Sequence, residues 1–327
     1  MKYSAQMPES MRFIGHKDAV LSIAISVEGE HVLTGSLDRS ARLWSASSGQ
    51  EVRTFGAPRR FGWQFVTSVD MNHDLRTVLT ATRTGIVQLW EFDTARPTVR
   101  IEHPSRRLFG KHCMQWRFPA VFAPDGRYIL TGSLDQTARI WDAQTGEEMQ
   151  RIDTSPHGVT AVAFCDDARK VLIGTLSGGV SMWNAGNREE ITRYQEPDGP
   201  PFIAVTSIEM SPDSRLVLAG GAWPFAQIWD ANTAVTLQQY RIDEMTIIES
   251  ARFSTNSKLV AIGYSQSQVG LWDVATATEI VRFDCRCGRR HLVGGPMPVA
   301  FSLCGSYLVV GSARNAALRF DLDGIIK

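Results

Sequence analysis

Two stretches of this chain nearly coincide: LTGSLDRSARLW at residues 33–44 and LTGSLDQTARIW at 130–141. Nine of their twelve positions match, and the copies lie 97 residues apart. Such a dodecamer is either a duplicated site or a building unit, and the rest of the chain decides for the unit. An aromatic residue closes a similar segment at Trp44, Trp90, Trp141, Trp183, Trp229, Trp272 and Phe320, at intervals of 46, 51, 42, 46, 43 and 48 residues. Nine positions before each stands a small residue: Gly35, Ala81, Gly132, Gly174, Gly220, Gly263 and Gly311. A size limit recurring at one register predicts close sheet packing, where a larger side chain would overpack.

Each unit reads as four short strands. In the first they are VLSIAIS, HVLTGS, SARLWSA and EVRTF, separated by the turn segments VEGE, SLDRS and SASSGQ. Helical periodicity of useful length is missing. Seven such units at 40–50 residues each predict an all-β fold, a seven-bladed β-propeller of four-stranded antiparallel blades, with residues 1–327 as a single domain. Six units carry a strand after the closing aromatic, whereas the seventh ends in DLDGIIK. An open ring leaves unpaired strand edges, which invite aggregation. The N-terminal SMRFIG, whose Arg12-Phe13 mirrors Arg282-Phe283, is therefore expected to close the ring by pairing into the last blade, with residues 1–14 as the closing segment.

Trp-Asp occurs at 141–142, 229–230 and 272–273, and related pairs end the other units: Trp44-Ser45, Trp90-Glu91, Trp183-Asn184 and Phe320-Asp321. With Gly15-His16 ahead of the first unit, the chain resembles the WD-repeat β-propeller family over almost its whole length. That resemblance implies a structural tetrad of His16, Thr34, Asp38 and Trp44, linked from carboxylate through imidazole and hydroxyl to indole. The same residue types could form a hydrolase triad, but Asp38 sits in a repeat turn and threonine is an uncommon nucleophile. The third unit has Thr131, Asp135 and Trp141, with His112 one residue out of register. Thr84, Ser177, Trp223, Gln266 and Arg314 replace the turn aspartate elsewhere. One complete tetrad is thus expected, with blades 4–7 relying on apolar packing.

Composition narrows the function classes. Lysine plus arginine number 34, as do the acidic residues, so net charge gives no global pull toward nucleic acid or membrane. The N-terminus lacks a signal-peptide apolar core, and no apolar run approaches membrane-spanning length. Five scattered cysteines form no disulfide framework, which fits a reducing compartment, expected to be the cytoplasm. Cys285, Cys287 and His291 could offer three soft ligands, with Cys113 or His103 as a fourth. The spacing differs from that of paired zinc cysteines, and a polar loop is the expected reading, with no metal and no cofactor.

In the family's geometry, the linkers between blades and the turns between second and third strands share the top face. Sorted this way, the bottom turns are acidic (Glu28, Glu30, Asp74, Asp93, Asp125, Glu147, Glu189, Asp213 among others) and the top carries Arg59, Arg60, Arg83, Arg106, Arg107, Lys111, Arg117, Arg289, Arg290 and Arg314. The top segments also hold Trp63, Phe65, Trp116, Phe118 and Trp223. Trp and Arg most often dominate interface energy. The expected function is a non-enzymatic interaction scaffold whose top face binds a protein or peptide partner through Trp63, Phe65, Arg83, Arg106, Arg107, Trp116, Phe118, Trp223 and Arg314. Apolar groups with acidic or phosphorylated ones in the partner would suit that set, and the chain itself could be a free-standing adaptor or one subunit of a larger complex. Two alternatives stand beside it. An enzyme in the central channel needs converging polar residues, yet the aligned inner positions (Ala19, Leu21, Gly158, Ala204, Ile247, Gly295) are apolar or small. Nucleic-acid binding would use the arginine and aromatic sector, against the neutral total charge.

Overall fold

The turn residues set the strands. In the first repeat Gly29, Arg39 and Gly49 have φ of 72°, 73° and 70°, each reversing the chain inside a tight turn. Between them β2 (Val20–Ile25), β3 (His31–Ser36), β4 (Ser40–Ser45) and β5 (Glu51–Gly56) form an antiparallel meander, blade 1, after β1 (Met11–Ile14). Blade 2 is β6 (Val66–Met71), β7 (Thr77–Thr82), β8 (Ile86–Glu91) and β9 (Pro97–Glu102). Blade 3 is β10 (Ala120–Phe122), β11 (Tyr128–Gly132), β12 (Thr137–Asp142) and β13 (Glu148–Asp153). Blade 4 is β14 (Val159–Phe164), β15 (Lys170–Thr175), β16 (Val180–Asn184) and β17 (Glu190–Arg193). Blade 5 is β18 (Val205–Met210), β19 (Leu216–Gly221), β20 (Phe225–Asp230) and β21 (Thr236–Arg241). Blade 6 is β22 (Ile248–Phe253), β23 (Leu259–Tyr264), β24 (Gln268–Asp273) and β25 (Glu279–Asp284). Blade 7 holds β26 (Val299–Phe301), β27 (Tyr307–Gly311) and β28 (Ala316–Asp321). This computed structural model describes residues 9–56, 64–74, 76–103, 118–165, 168–194, 204–222, 225–242, 246–265, 267–285, 297–312 and 315–323. Among them there is no helix, and the strands make seven four-stranded antiparallel sheets.

The first strands of the blades, β2, β6, β10, β14, β18, β22 and β26, neighbour one another in that order, and β26 returns to β2. The sheets therefore stand radially around a central channel, as expected of a propeller. The ring closes as the sequence implied: β1 is the outer strand of blade 7, with Met11 opposite Arg319 and Ile14 opposite Ala316. Phe13 is fully buried there, as Phe283 is in blade 6.

Apolar packing lies at the junctions between blades. Leu33, Leu43 and Phe55 of blade 1 pack with Val66, Val69 and Trp90 of blade 2, and each later junction repeats the pattern round to Phe13, Trp44 and Val309. The small residue nine positions before the aromatic explains itself here. A Cβ on Gly174 would stand 2.5 Å from Val205, and one on Gly220 would stand 2.5 Å from Ile248. Each glycine lets the next blade's inner strand close up, and a methyl there would force the junction apart.

Candidate functional site

The turn and linker residues of blade 1 meet behind Trp44. The Trp44 indole N–H donates to Thr34 Oγ1 at 2.8 Å, and Thr34 lies 2.7 Å from His16 Nε2. His16 Nδ1 lies 2.8 Å from an Asp38 oxygen, which also accepts the Lys17 amide at 2.9 Å. A proton on Nδ1 satisfies the chain: imidazole donates to carboxylate, hydroxyl to imidazole, indole to hydroxyl. Burial pushes the Asp38 carboxyl up, but the bonds from His16, Ser40 and the Lys17 amide outweigh it and hold Asp38 well below the usual carboxylate range.

Blade 3 carries a second complete network, which corrects the expectation of a single tetrad. Its histidine is His103, directly after β9, and His112 lies outside the described residues. His103 Nδ1 is 2.7 Å from Thr131 Oγ1, and its Nε2 is 3.3 Å from Asp135 and 3.0 Å from Thr137. Trp141 donates to Thr131 at 2.8 Å. The ring is turned over relative to His16 yet serves the same two neighbours. Burial pushes the His103 imidazole down against the pull of Asp135. Asp135 also accepts Arg139 at 2.8 Å, and despite burial its hydrogen bonds hold it well below the carboxylate range.

The other blades answer the same tryptophan differently. In blade 2 Trp90 donates to Thr80 at 2.8 Å. Trp183 of blade 4 donates to Ser181 at 2.8 Å. In blade 6 Trp272 donates to the Tyr264 phenol at 2.7 Å, and Gly270 makes the room, since a Cβ there would lie 2.2 Å from that oxygen. Trp229 of blade 5 has a buried indole N–H with no partner among the described residues. Blade 7 uses Phe320, which has nothing to donate. Apolar packing alone, expected for blades 4–7, therefore holds in part: blades 4 and 6 found other hydroxyls.

The top-face candidates are only partly described. Trp63, Arg106, Arg107, Trp116, Trp223 and Arg314 lie outside the described residues. Phe65 and Arg83 are partly exposed, at the entry to β6 and in the turn after β7. Phe118 is corrected: it is 4% exposed and packs edge-on against His103 at 5.6 Å, inside the junction of blades 2 and 3, so it offers no contact surface. The acidic bottom turns Glu28, Glu30, Asp74, Asp93, Asp125, Glu147, Glu189 and Asp213 are exposed. Cys285 is buried, while Cys287 and His291 lie outside the described residues. His103, the suggested fourth ligand, is committed to blade 3, and among the described residues no cluster of metal-ligating groups occurs.

The channel is more polar than the strand entries suggest. At one register the seven inner strands present Ala24, Asp70, Val121, Ala163, Glu209, Arg252 and Ala300. Asp70 accepts the Phe122 amide of the next blade at 2.8 Å, and Glu209 accepts the Phe253 amide at 2.6 Å. Two residues earlier, Ser68 donates to Ala120 O at 2.9 Å and Ser207 to Ala251 O at 3.0 Å. Arg252 donates to Ser207 at 2.8 Å. These groups stitch neighbouring blades together on the channel wall. Burial raises Asp70 to about 6 and Glu209 to about 7, against the backbone bonds and the Arg252 charge. The alternation of β6, β18 and β22 could have revealed them, because they sit on the face opposite the packed residues.

Comparison with known proteins bears on this geometry. A family model described as "WD domain, G-beta repeat" matches residues 8–45 and 112–142. The chain is 23% identical over 273 residues to the serine-threonine kinase receptor-associated protein of Gallus gallus, covering 84% of this chain and 72% of that protein. It is 30% identical over 167 residues to a guanine nucleotide-binding protein subunit beta of Nicotiana plumbaginifolia, covering 48% of this chain and 42% of that one. Among the described residues no helix is long and apolar enough to cross a membrane. Seven radial blades, tryptophans closing all but one of them, two complete tetrads and the repeat matches agree: the chain is a seven-bladed β-propeller similar to proteins of the WD-repeat family.

Proposed function

We propose that the chain is a non-enzymatic protein–protein interaction scaffold whose top face receives a partner segment. The observation that carries this reading is the similarity, spread over 84% of the chain, to a protein named for its association with a receptor. The tetrads support it physically. The hydroxyl, imidazole and carboxylate that could act as a triad are consumed by one another and by Trp44, inside the blade. A rigid ring also holds its linkers in fixed relation, which suits them to recognition.

The partner segment is acidic or phosphorylated beside an apolar anchor. Its anchor lies against Trp63, Phe65 and Trp116, and its anionic groups meet Arg83, Arg106, Arg107 and Arg314 through charge-assisted bonds. Trp223 extends this sector onto blade 5. Five scattered cysteines, with no disulfide framework expected of their spacing, fit the proposed cytoplasmic location.

The test is affinity capture from native lysate with wild type and with a Trp116→Ala, Arg106→Glu, Arg107→Glu variant of unchanged melting temperature. The expected result is one partner retained by the wild type and lost by the variant. Equal recovery removes the site. Nucleic acid, bound with a steep salt dependence, would replace the scaffold reading.

A further inference from the structure

Blade 4 keeps the frame of blades 1 and 3 but not its filling. Where blade 1 has Asp38, Ser40 and Arg42, and blade 3 has Asp135, Thr137 and Arg139, blade 4 has Ser177, Gly179 and Ser181. All three replacements are smaller, and together they remove a carboxylate and a guanidinium. A cavity of about 270 Å³ lies there, walled by Ser177, Ser181, Trp183, Glu190 and Arg193 of blade 4, by Asp153 at the end of β13 and by His157 of the linker that follows it.

The walls retain what a guanidinium needs. In blade 3 one carboxylate, Glu148, holds two arginines: Arg151 through bonds of 2.7 and 2.9 Å, and Arg139 at 3.0 Å. In blade 4 its counterpart Glu190 binds Arg193 through two bonds of 2.7 Å, and the second arginine has become Ser181. Arg139 also lies 6.0 Å from the centre of the Trp141 ring, a cation–π distance. Trp183 is partly exposed, whereas Trp44 is 1% and Trp141 6% exposed, so its indole is open to the cavity that it lines. Blade 6 shows the contrast. It also lacks the arginine, at Gly270, but fills the place with Tyr264, and Arg282 lies over that ring at 5.5 Å. Thr175 stands in blade 4 where blade 6 has Tyr264, and it is too short to do the same.

We propose that blade 4 is a binding pocket for a guanidinium group, presented as an arginine side chain by a partner protein. The group enters between the linker at 153–157 and the turn at 175–179, shares Glu190 with Arg193, and lies over Trp183. A planar fork suits this site better than an ammonium, because it can bond to the carboxylate and the hydroxyls while stacking on the indole. The pocket uses none of the residues of the proposed top-face sector, so either can fail without the other.

Tryptophan fluorescence of the full chain, titrated at constant ionic strength, tests the pocket. The probes are N-acetyl-L-arginine amide, free L-arginine and N-acetyl-L-lysine amide. The expected result is a saturable response to the arginine amide, at least about 10-fold weaker for the lysine amide. A response to free arginine as strong as to the capped form would change the source from a side chain to the free amino acid. Ser181→Arg places a guanidinium beside Glu190, as Arg139 stands beside Glu148, while removing the hydroxyl that accepts the Trp183 indole. It should abolish the response. Glu190→Gln should weaken binding without filling the space. A response equal for both capped amides, or one that survives Ser181→Arg, overturns the proposal. So does a Glu190→Gln protein that binds the arginine amide as tightly as the wild type.

Discussion

Blades 3 and 5 solve one problem in opposite ways. Trp141 of blade 3 is held by Thr131, His103 and Asp135 in a continuous hydrogen-bonded chain. Trp229 of blade 5 is as deeply buried, 1% exposed, with no partner for its indole N–H among the described residues. Yet both rings seat at the same register and close the same kind of junction, with Tyr194 against Trp229 at 5.9 Å and His103 against Trp141 at 5.9 Å. Burying a large aromatic contributes about 2–3 kcal/mol or more. An orphaned N–H costs about 1–3 kcal/mol. The packing term is therefore large enough to keep the frame without the network. The network acts as an added lock on two blades rather than as the cause of the fold.

That comparison is broken most forcefully by removing the lock where it exists. Asp135→Ala strips partners from His103, Thr137 and Arg139 at once and should cost about 3 kcal/mol in urea unfolding. Asp38→Ala should cost about 1–3 kcal/mol by the same reasoning. Ser177→Ala, at the corresponding place in blade 4, should stay within about 0.5 kcal/mol. Equal losses in blades 3 and 4 would mean that the tetrad is not the lock.

Blade 6 sharpens the point, because its lock is a phenol in borrowed space. Gly270→Ala puts a methyl against Tyr264 and Trp272 and should cost about 2 kcal/mol, seen as a lower urea midpoint with unchanged slope. A neutral outcome would show that Tyr264 has other room.

The tetrad and channel carboxylates should separate by pH. Asp38 and Asp135 have lowered native pKa values, so their contribution is present above about pH 4 and is lost on acidification. Glu209 is raised to about 7, so the native state keeps its proton longer than the unfolded chain, and stability falls as pH rises from about 4.5 to 7. Glu209→Gln removes only that loss. Its stability relative to wild type should grow by about 1–2 kcal/mol across that window, solvent screening included. A constant difference would place Glu209 in ordinary solvent.

One small effect is a gain. Ala219 of blade 5 occupies the register of Thr34 and Thr131. Ala219→Ser should offer Trp229 an acceptor and add about 0.5–1 kcal/mol to stability. A loss would mean that the alanine is there to avoid overpacking.

The blade frame was legible because it rests on short-range constraints. A closing aromatic and a size-limited residue nine places earlier are fixed by sheet pairing, and neither depends on loop length. His103 was not legible for the opposite reason. It precedes Thr131 by 28 residues where His16 precedes Thr34 by 18, so constant spacing pointed to His112. Tyr264 was hidden because its hydroxyl comes from two positions further along the strand than the usual threonine. Asp70, Glu209 and Arg252 were missed because the channel was judged from strand entries. Their register lies further along the inner strands, on the face that alternation leaves unpacked. Phe118 looked like a rim residue because its apolar partners come from another blade, which sequence distance conceals.

The clasp between β1 and β28 sets how this ring would respond to mechanical load. The strands run antiparallel, and Met11 and Arg319 sit at the edge where the chain leaves the sheet on both sides. Tension applied to the flanking polypeptide therefore opens the pairs in succession, from Met11–Arg319 inward to Ile14–Ala316, instead of shearing them together. Such a zipper yields at low force. A tether pulling on both flanks would expose the outer edge of blade 7 while the other six blades stayed intact.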